Sequence, residues 1–289
     1  MYILRFLIGV GLLLCATSIF AQVGERIQLY EGQLGESPSF YVNLAAGTDV
    51  KPTVLIMPGG GYQLLAMDHE GEVVAKWFQE RGVNAIILEY SLGKFDGSGS
   101  KHPTMLNDAK RAMRILRSNA KRWNIDSNKI AVMGFSAGGH LASTLATHSD
   151  SGNSAAADPI EHFSCVPNLC ILSYPVIMMD GPYTHWGSRR FLLGPTPNSK
   201  DILSLSNENQ VNVTTPPTIL FHTSDDASVP VQNSVYYYLA LRELGIPAEM
   251  HIFEHGKHGV GLIVDDFGLS QWESLLENWL VRWKWIEAK

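Results

Sequence analysis

At 289 residues, 45% hydrophobic and 17% charged, the chain is long enough to bury a large core and allows one or two domains. A net charge of -6 gives no basic footprint, which excludes nucleic acid as a partner class. Beyond the N-terminal segment only Cys165 and Cys170 remain, with no Cys-x-x-Cys spacing, so no cysteine-built metal site is expected.

Residues 1–21 read as a signal peptide. Arg5 precedes an apolar run over 6–16, the small polar pair Thr17-Ser18 follows, and cleavage is expected after Ala21. The run is shorter than the ~20 residues a bilayer requires, which argues against a retained anchor. Leu14-Cys15 lacks the small residue that precedes a lipidated cysteine. The mature chain, residues 22–289, is expected to be secreted or periplasmic, without membrane contact after cleavage.

Tyr41 and its neighbours look like an antiparallel edge strand. Residues 53–57 then predict a buried strand, 71–81 a helix closed by Gly82, and 84–89 the next strand. Pro103 opens a helix in which Met105, Leu106, Ala109, Ala112, Met113 and Leu116 recur at helical spacing. A strand over 130–133 leads to a helix after Ser136, followed by strands at 169–176 and 218–221. A helix over 231–244, an alternating strand over 249–253 and a helix over 269–285 complete the chain. Strand-helix alternation with continuous apolar strands predicts an α/β fold: a mostly parallel, doubly wound sheet covered on both faces, with an antiparallel N-terminal edge. Residues 177–215, rich in Gly, Pro, Ser and Asn, read as an insertion that carries binding residues or as a solvated loop with one short helix. Cys165 and Cys170 are open to pairing, or to remaining buried thiols because Cys170 lies in an apolar run.

Gly134-Phe135-Ser136-Ala137-Gly138 follows the strand over 130–133 and precedes a helix, the arrangement of a nucleophile elbow. A serine hydroxyl needs a base to take its proton and a carboxylate to orient that base. In a doubly wound sheet these follow in the order acid, then histidine, beyond strand ends. The strand over 218–221 runs into His222-Thr223-Ser224-Asp225-Asp226, and Asp226, just before Val229-Pro230, is favoured over Asp225. The strand over 249–253 runs into His255-Gly256-Lys257-His258-Gly259. His258, flanked by glycines, is a better base than His251 inside the strand or His255 at its edge. His251, His255 and His258 would suit a metal only on a helix, which the strand pattern argues against. Oxyanion donors are expected from Ala137 N–H and from Pro58-Gly59-Gly60-Gly61, with Gly60 and Gly61 the candidates. This chemistry calls for neither a metal nor an organic cofactor.

These segments, together with Tyr174-Pro175-Val176-Ile177 and Thr184-His185-Trp186-Gly187-Ser188-Arg189, resemble the α/β-hydrolase esterases of plant cell-wall polysaccharides, the acetylxylan and feruloyl esterase-like group. The resemblance covers roughly residues 35–285 and implies a triad of Ser136, Asp226 and His258 with oxyanion glycines at 59–61. Pro58 stands where many lipase-like esterases carry histidine, and Ser91 where they often carry arginine. The implied activity is removal of acetyl groups from xylan or its oligosaccharides, so the expected partner is an acetylated polysaccharide or oligosaccharide. Feruloyl esterase, peptidase, acyltransferase and a non-catalytic carbohydrate-binding protein on the same fold are the alternatives. Tyr183, His185 and Trp186 suit either an aromatic floor for a sugar ring or the packing of a lid.

Overall fold

The computed structural model describes residues 24–30, 38–262 and 268–288, so the leader expected at residues 1–21 lies outside the described residues. Among the described residues eight strands form one sheet in the order β1-β2-β4-β3-β5-β6-β7-β8. They are β1 (Glu25–Gln28), β2 (Ser39–Asn43), β3 (Lys51–Met57), β4 (Asn84–Glu89), β5 (Ile125–Phe135), β6 (Leu169–Ser173), β7 (Thr218–Thr223) and β8 (Ala248–Phe253). β1 with β2, and β2 with β4, pair antiparallel; every other pairing is parallel. The antiparallel edge is therefore two strands wide, one more than the sequence suggests.

Seven α-helices accompany the sheet among the described residues: α1 (Val73–Gln79), α2 (Thr104–Ser118), α3 (Ser136–His148), α4 (Trp186–Leu193), α5 (Ser199–Ser204), α6 (Gln232–Glu243) and α7 (Gln271–Arg282). Successive side chains of a strand point to opposite faces, so each buried strand feeds two cores. Leu55, Val132, Leu172 and Leu220 pack with Met113 of α2, Leu141 and Leu145 of α3, and Leu241 of α6. Their neighbours Ile56, Met133, Ile171 and Phe221 face the other way, onto Trp77 and Phe78 of α1 and Trp272 and Leu276 of α7. Both faces of the parallel strands are covered, which is why those strands read as unbroken apolar runs. No helix among the described residues is long and apolar enough to cross a membrane.

Several boundaries differ from expectation for local reasons. The strand expected to reach Val176 stops at Ser173, because Tyr174 takes φ 36° and turns the chain. β5 begins at Ile125, five residues before the apolar run, pairing Ile125 with Lys51 ahead of its main register. The first helix opens earlier, as a π-helical turn over Asp68–Glu72 that carries Glu70 inward. The segment between β6 and β7 holds two helices rather than one. α4 is capped by His185, which accepts from Ser188 N–H, and α5 by Asn198, which accepts from Asp201 N–H. Cys165 and Cys170 are both buried free thiols.

Candidate active site

β5 ends at Phe135 and α3 starts at Ser136, so strand gives way to helix with no intervening residue. Ser136 is held at φ 51°, a left-handed conformation that costs roughly 1–3 kcal/mol in a non-glycine residue and persists only where its surroundings impose it. The first turn of α3 runs against the end of β3: a Cβ on Gly138 would stand 2.0 Å from the Met57 carbonyl oxygen. Only glycine fits there, and the close approach brings the loop after β3 beside the serine.

The structure brings Ser136, His258 and Asp226 together. Ser136 Oγ lies 2.8 Å from His258 Nε2, and His258 Nδ1 lies 2.6 Å from Asp226 Oδ2. A carboxylate only accepts, so Nδ1 carries the proton and Nε2 is left to accept from the serine hydroxyl. Asp226 Oδ1 accepts from the N–H groups of Ser228 (2.8 Å) and Val229 (2.9 Å). Burial alone would raise the Asp226 carboxyl. Hydrogen bonds from His222 and His258, the positive charge available on His258 and the Val229 N–H outweigh it and hold Asp226 well below the usual carboxylate range.

The competing residues have other tasks. Asp225 clips the histidine loop, accepting from Gly256 N–H (2.8 Å) and contacting His255 Nδ1 (3.0 Å). His251 lies in β8, stacked on Phe221 with ring centroids 5.5 Å apart and bonded to Glu249 (2.8 Å). No group of three or more metal-ligating side chains occurs among the described residues.

In the loop after β3, Gly60 has φ 128° and Gly61 φ 66°, conformations that glycine adopts readily. Their N–H groups take no acceptor among the described residues. Ala137 stands in the first turn of α3, where a backbone N–H has no intrahelical acceptor and carries the positive end of the helix dipole. Pro58, in place of a histidine, offers its carbonyl to Tyr90 Oη at 2.6 Å. Ser91, in place of an arginine, donates its N–H to buried Asp108 at 2.9 Å, and Asp108 also accepts from Tyr30 Oη at 3.0 Å. The loop is thus braced by different groups.

The insertion is pinned beside the site by two buried asparagines. Asn207 donates to the His140 carbonyl (3.2 Å) and Ser143 Oγ (2.8 Å) of α3. Asn233 accepts from Ile177 and Met178 and donates to the Tyr183 carbonyl. His185 is half-buried within reach of the triad's charges. Burial and the charge of His258 lower its pKa, against the opposing pull of Asp226. Trp186 beside it is 61% exposed, with the Arg189 guanidinium 4.8 Å from its ring centroid. Tyr183 faces Tyr236 instead, ring centroids 6.1 Å apart.

Sequence reasoning assigned no role to three further residues at the site. His222 Nε2 stands 3.4 Å from Asp226 Oδ2 and 3.0 Å from the Val229 carbonyl, bracing the acid. Glu70 and Tyr174 form a buried pair at 2.8 Å between the two site loops. The signal for His222 was its place at the end of β7, four residues before Asp226.

His140, just after the elbow, is fully buried with Nε2 2.8 Å from the Leu205 carbonyl and Nδ1 2.8 Å from Tyr62 Oη. The carbonyl fixes the proton on Nε2, so Tyr62 donates to Nδ1. Burial pushes this imidazole down to about 4, against the pull of the Leu205 carbonyl. An unfolded histidine titrates near ~6.5, so as pH falls from there toward 4 the unfolded chain takes a proton that the folded one refuses. Stability contributed by neutral His140 is complete above that window and falls by about 3 kcal/mol through it. The urea midpoint of the wild type should therefore drop more steeply over this range than that of His140→Gln; parallel slopes would refute the assignment.

The sheet order, with the serine after the fifth strand and its partners beyond the seventh and eighth, makes this molecule an α/β hydrolase. A family model described as BD-FAE matches residues 40–241, and the chain belongs to that family. It is 32% identical over 289 residues to an acetylxylan esterase of Xylanibacter ruminicola, covering 96% of this chain and 54% of that protein. It is 40% identical over 246 residues to endo-1,4-beta-xylanase B of Butyrivibrio fibrisolvens, covering 84% of this chain and 38% of the relative. The chain thus spans about half or less of these curated relatives. The solved structure of an acetyl ester-xyloside bifunctional hydrolase from Caldicellulosiruptor lactoaceticus is 41% identical, with a TM-score of 0.87, covering 93% of this chain and all of that one.

Proposed function

We propose that this protein is a serine carboxylesterase that removes acetyl groups from xylan or xylo-oligosaccharides. The observation that carries the reading is the unbroken relay from Ser136 Oγ through His258 to Asp226, at 2.8 and 2.6 Å. The acetyl and xylose chemistry named for the Xylanibacter and Caldicellulosiruptor proteins supports the substrate.

In this reading Ser136 Oγ attacks the acetyl carbonyl carbon as His258 Nε2 takes its proton. The N–H groups of Gly60, Gly61 and Ala137 receive the developing oxyanion, each donor worth ~10²–10³ in turnover. Collapse breaks the ester bond, and His258 returns its proton to the departing sugar oxygen. A water molecule, deprotonated by His258, then releases acetate from the acyl-serine. Asp226 keeps the His258 proton on Nδ1 and stabilises the imidazolium throughout. Exposed Trp186 offers a face on which a xylose ring can stack. The leader reading of residues 1–21 belongs to the same proposal and places the enzyme where polysaccharide is met.

The test is product release from acetylated xylan, feruloylated arabinoxylan and p-nitrophenyl acetate side by side. Acetate from xylan is expected. Ferulate without acetate would replace the substrate and keep the mechanism, whereas no turnover of any ester would remove the enzymatic reading.

A further inference from the structure

We propose that Glu70 is a positioning residue of the catalytic apparatus: a second buried carboxylate that ties the oxyanion loop to the histidine loop and holds negative charge behind His258. The kinetic part of this inference rests on the esterase reading.

Glu70 is only 2% exposed although it lies in a polar run, Asp68-His69-Glu70-Gly71-Glu72. Its Oε2 accepts the Gly59 N–H at 2.6 Å, and its Oε1 lies 2.8 Å from Tyr174 Oη. Tyr174 Oη in turn accepts the Gly261 N–H at 2.7 Å. Among the described residues the acceptor that the Tyr174 hydroxyl proton meets is Glu70 Oε1, so both oxygens of Glu70 accept, as in a carboxylate. Gly59 immediately precedes the oxyanion glycine Gly60, and a Cβ on Gly59 would stand 2.9 Å from the Ser136 Cβ. Gly261 follows His258 by three residues. One side chain therefore fixes both loops that must meet at Ser136.

The tyrosine between them is also a wall of the site. Its ring stands edge-on to the His258 imidazole, centroids 4.9 Å apart at 65°. The groups facing His258 are Asp226, Tyr174, Glu70 behind Tyr174, and more weakly His185. The groups facing Glu70 are His69 on its own turn, with Nε2 3.9 Å from Oε1, Tyr90 beyond β4, Tyr174 beyond β6, and His258 beyond β8. Burial raises the Glu70 carboxyl; the Tyr174 and Gly59 hydrogen bonds and the charges of His69 and His258 pull it back. A buried charge costs several kcal/mol unless its surroundings repay it. Here two hydrogen bonds repay it in the resting site, and in the esterase reading the imidazolium formed as Ser136 gives up its proton adds attraction during turnover. Buried charges are little screened by salt, so the attraction acts across the ring.

Glu70→Gln keeps the shape, turns one acceptor into a donor and removes the charge. The pH dependence of kcat/KM for p-nitrophenyl acetate reads the consequence. Without a negative charge behind the imidazole the acid limb of the profile should move to lower pH. With the loops untied, kcat should fall about 10-fold at little change in KM. Glu70→Asp, which keeps the charge, should return the limb toward its wild-type position. An acid limb that stays in place in Glu70→Gln overturns the electrostatic role, and an unchanged kcat overturns the tether.

NMR titration of the His258 ring, assigned with His258→Asn, gives the same answer without turnover. A lower midpoint in Glu70→Gln is expected and an unmoved one refutes the proposal, even if the wild type hydrolyses no ester. Should Glu70→Gln fail to fold, Tyr174→Phe keeps the ring against His258 and deletes the hydroxyl between Glu70 and Gly261. It should also lose about 10-fold in kcat, and wild-type kcat there overturns the tether.

Discussion

Ser136→Ala is expected to lose on the order of 10⁴- to 10⁶-fold in kcat toward p-nitrophenyl acetate, with a thermal unfolding curve close to wild type. The size follows from the covalent route: without Oγ no acyl-serine forms, and only the oxyanion donors and bound water remain. The small stability effect follows from what the hydroxyl touches. Among the described residues its one side-chain bond is to His258 Nε2, and the His258 side chain is 19% exposed, so water can replace the lost partner. The backbone strain at φ 51° is shared by alanine and serine, so it cancels in the comparison. A fluorophosphonate probe should label the wild type and leave the variant unmodified. Retained turnover in the variant would transfer the chemistry to another nucleophile, and an unreactive wild type would favour a carbohydrate-binding protein on this fold.

Ser136, Asp226 and His258 are legible in the sequence as a candidate set because each follows a strand, and strand ends are where an open α/β sheet gathers its site. The two cores are legible for the same reason: Leu55 and Ile56 are adjacent in sequence yet pack on opposite helices. Glu70 is not legible. Its partners Gly59 and Tyr174 lie 11 and 104 residues away, and an acid at a helix start ordinarily reads as a solvated partner of the helix dipole. Only the π-helical turn, which propensity does not announce, turns it inward. The insertion's second helix was hidden by its Gly, Pro and Asn content, although Asn198 before Asp201 is the capping pattern that marks its start. Braces made by backbone groups, such as the Tyr90 bond to the Pro58 carbonyl, leave no residue pattern to read.

Asp226→Asn should cost about 10⁴-fold in kcat/KM while the fold stays intact, a larger loss than removal of one charge would give. The reason is directional. In the native site Oδ2 accepts from His258 Nδ1 at 2.6 Å, and Oδ1 accepts from the Ser228 and Val229 N–H groups. An amide in the same plane must place its NH₂ at one of these two positions. Placed at Oδ1, it points a donor at two backbone donors. Placed at Oδ2, it donates to Nδ1, which moves the imidazole proton to Nε2, where it faces the Ser136 hydroxyl and can no longer accept from it. The second arrangement meets one donor, His222 Nε2–H at 3.4 Å, instead of two, so the variant should settle in the wrong tautomer. His222 holds the turn from beneath, through its 3.0 Å contact with the Val229 carbonyl, so the backbone should not follow the side chain. Asp226 is held well below the usual carboxylate range, so it stays ionised at any ordinary working pH. Asp226→Asn should therefore lower the plateau of kcat/KM rather than merely displace an acid limb. A plateau within a few-fold of wild type would show that Asp226 only packs beside His258, and Asp225, clipped to Gly256, would then be the next acid to test.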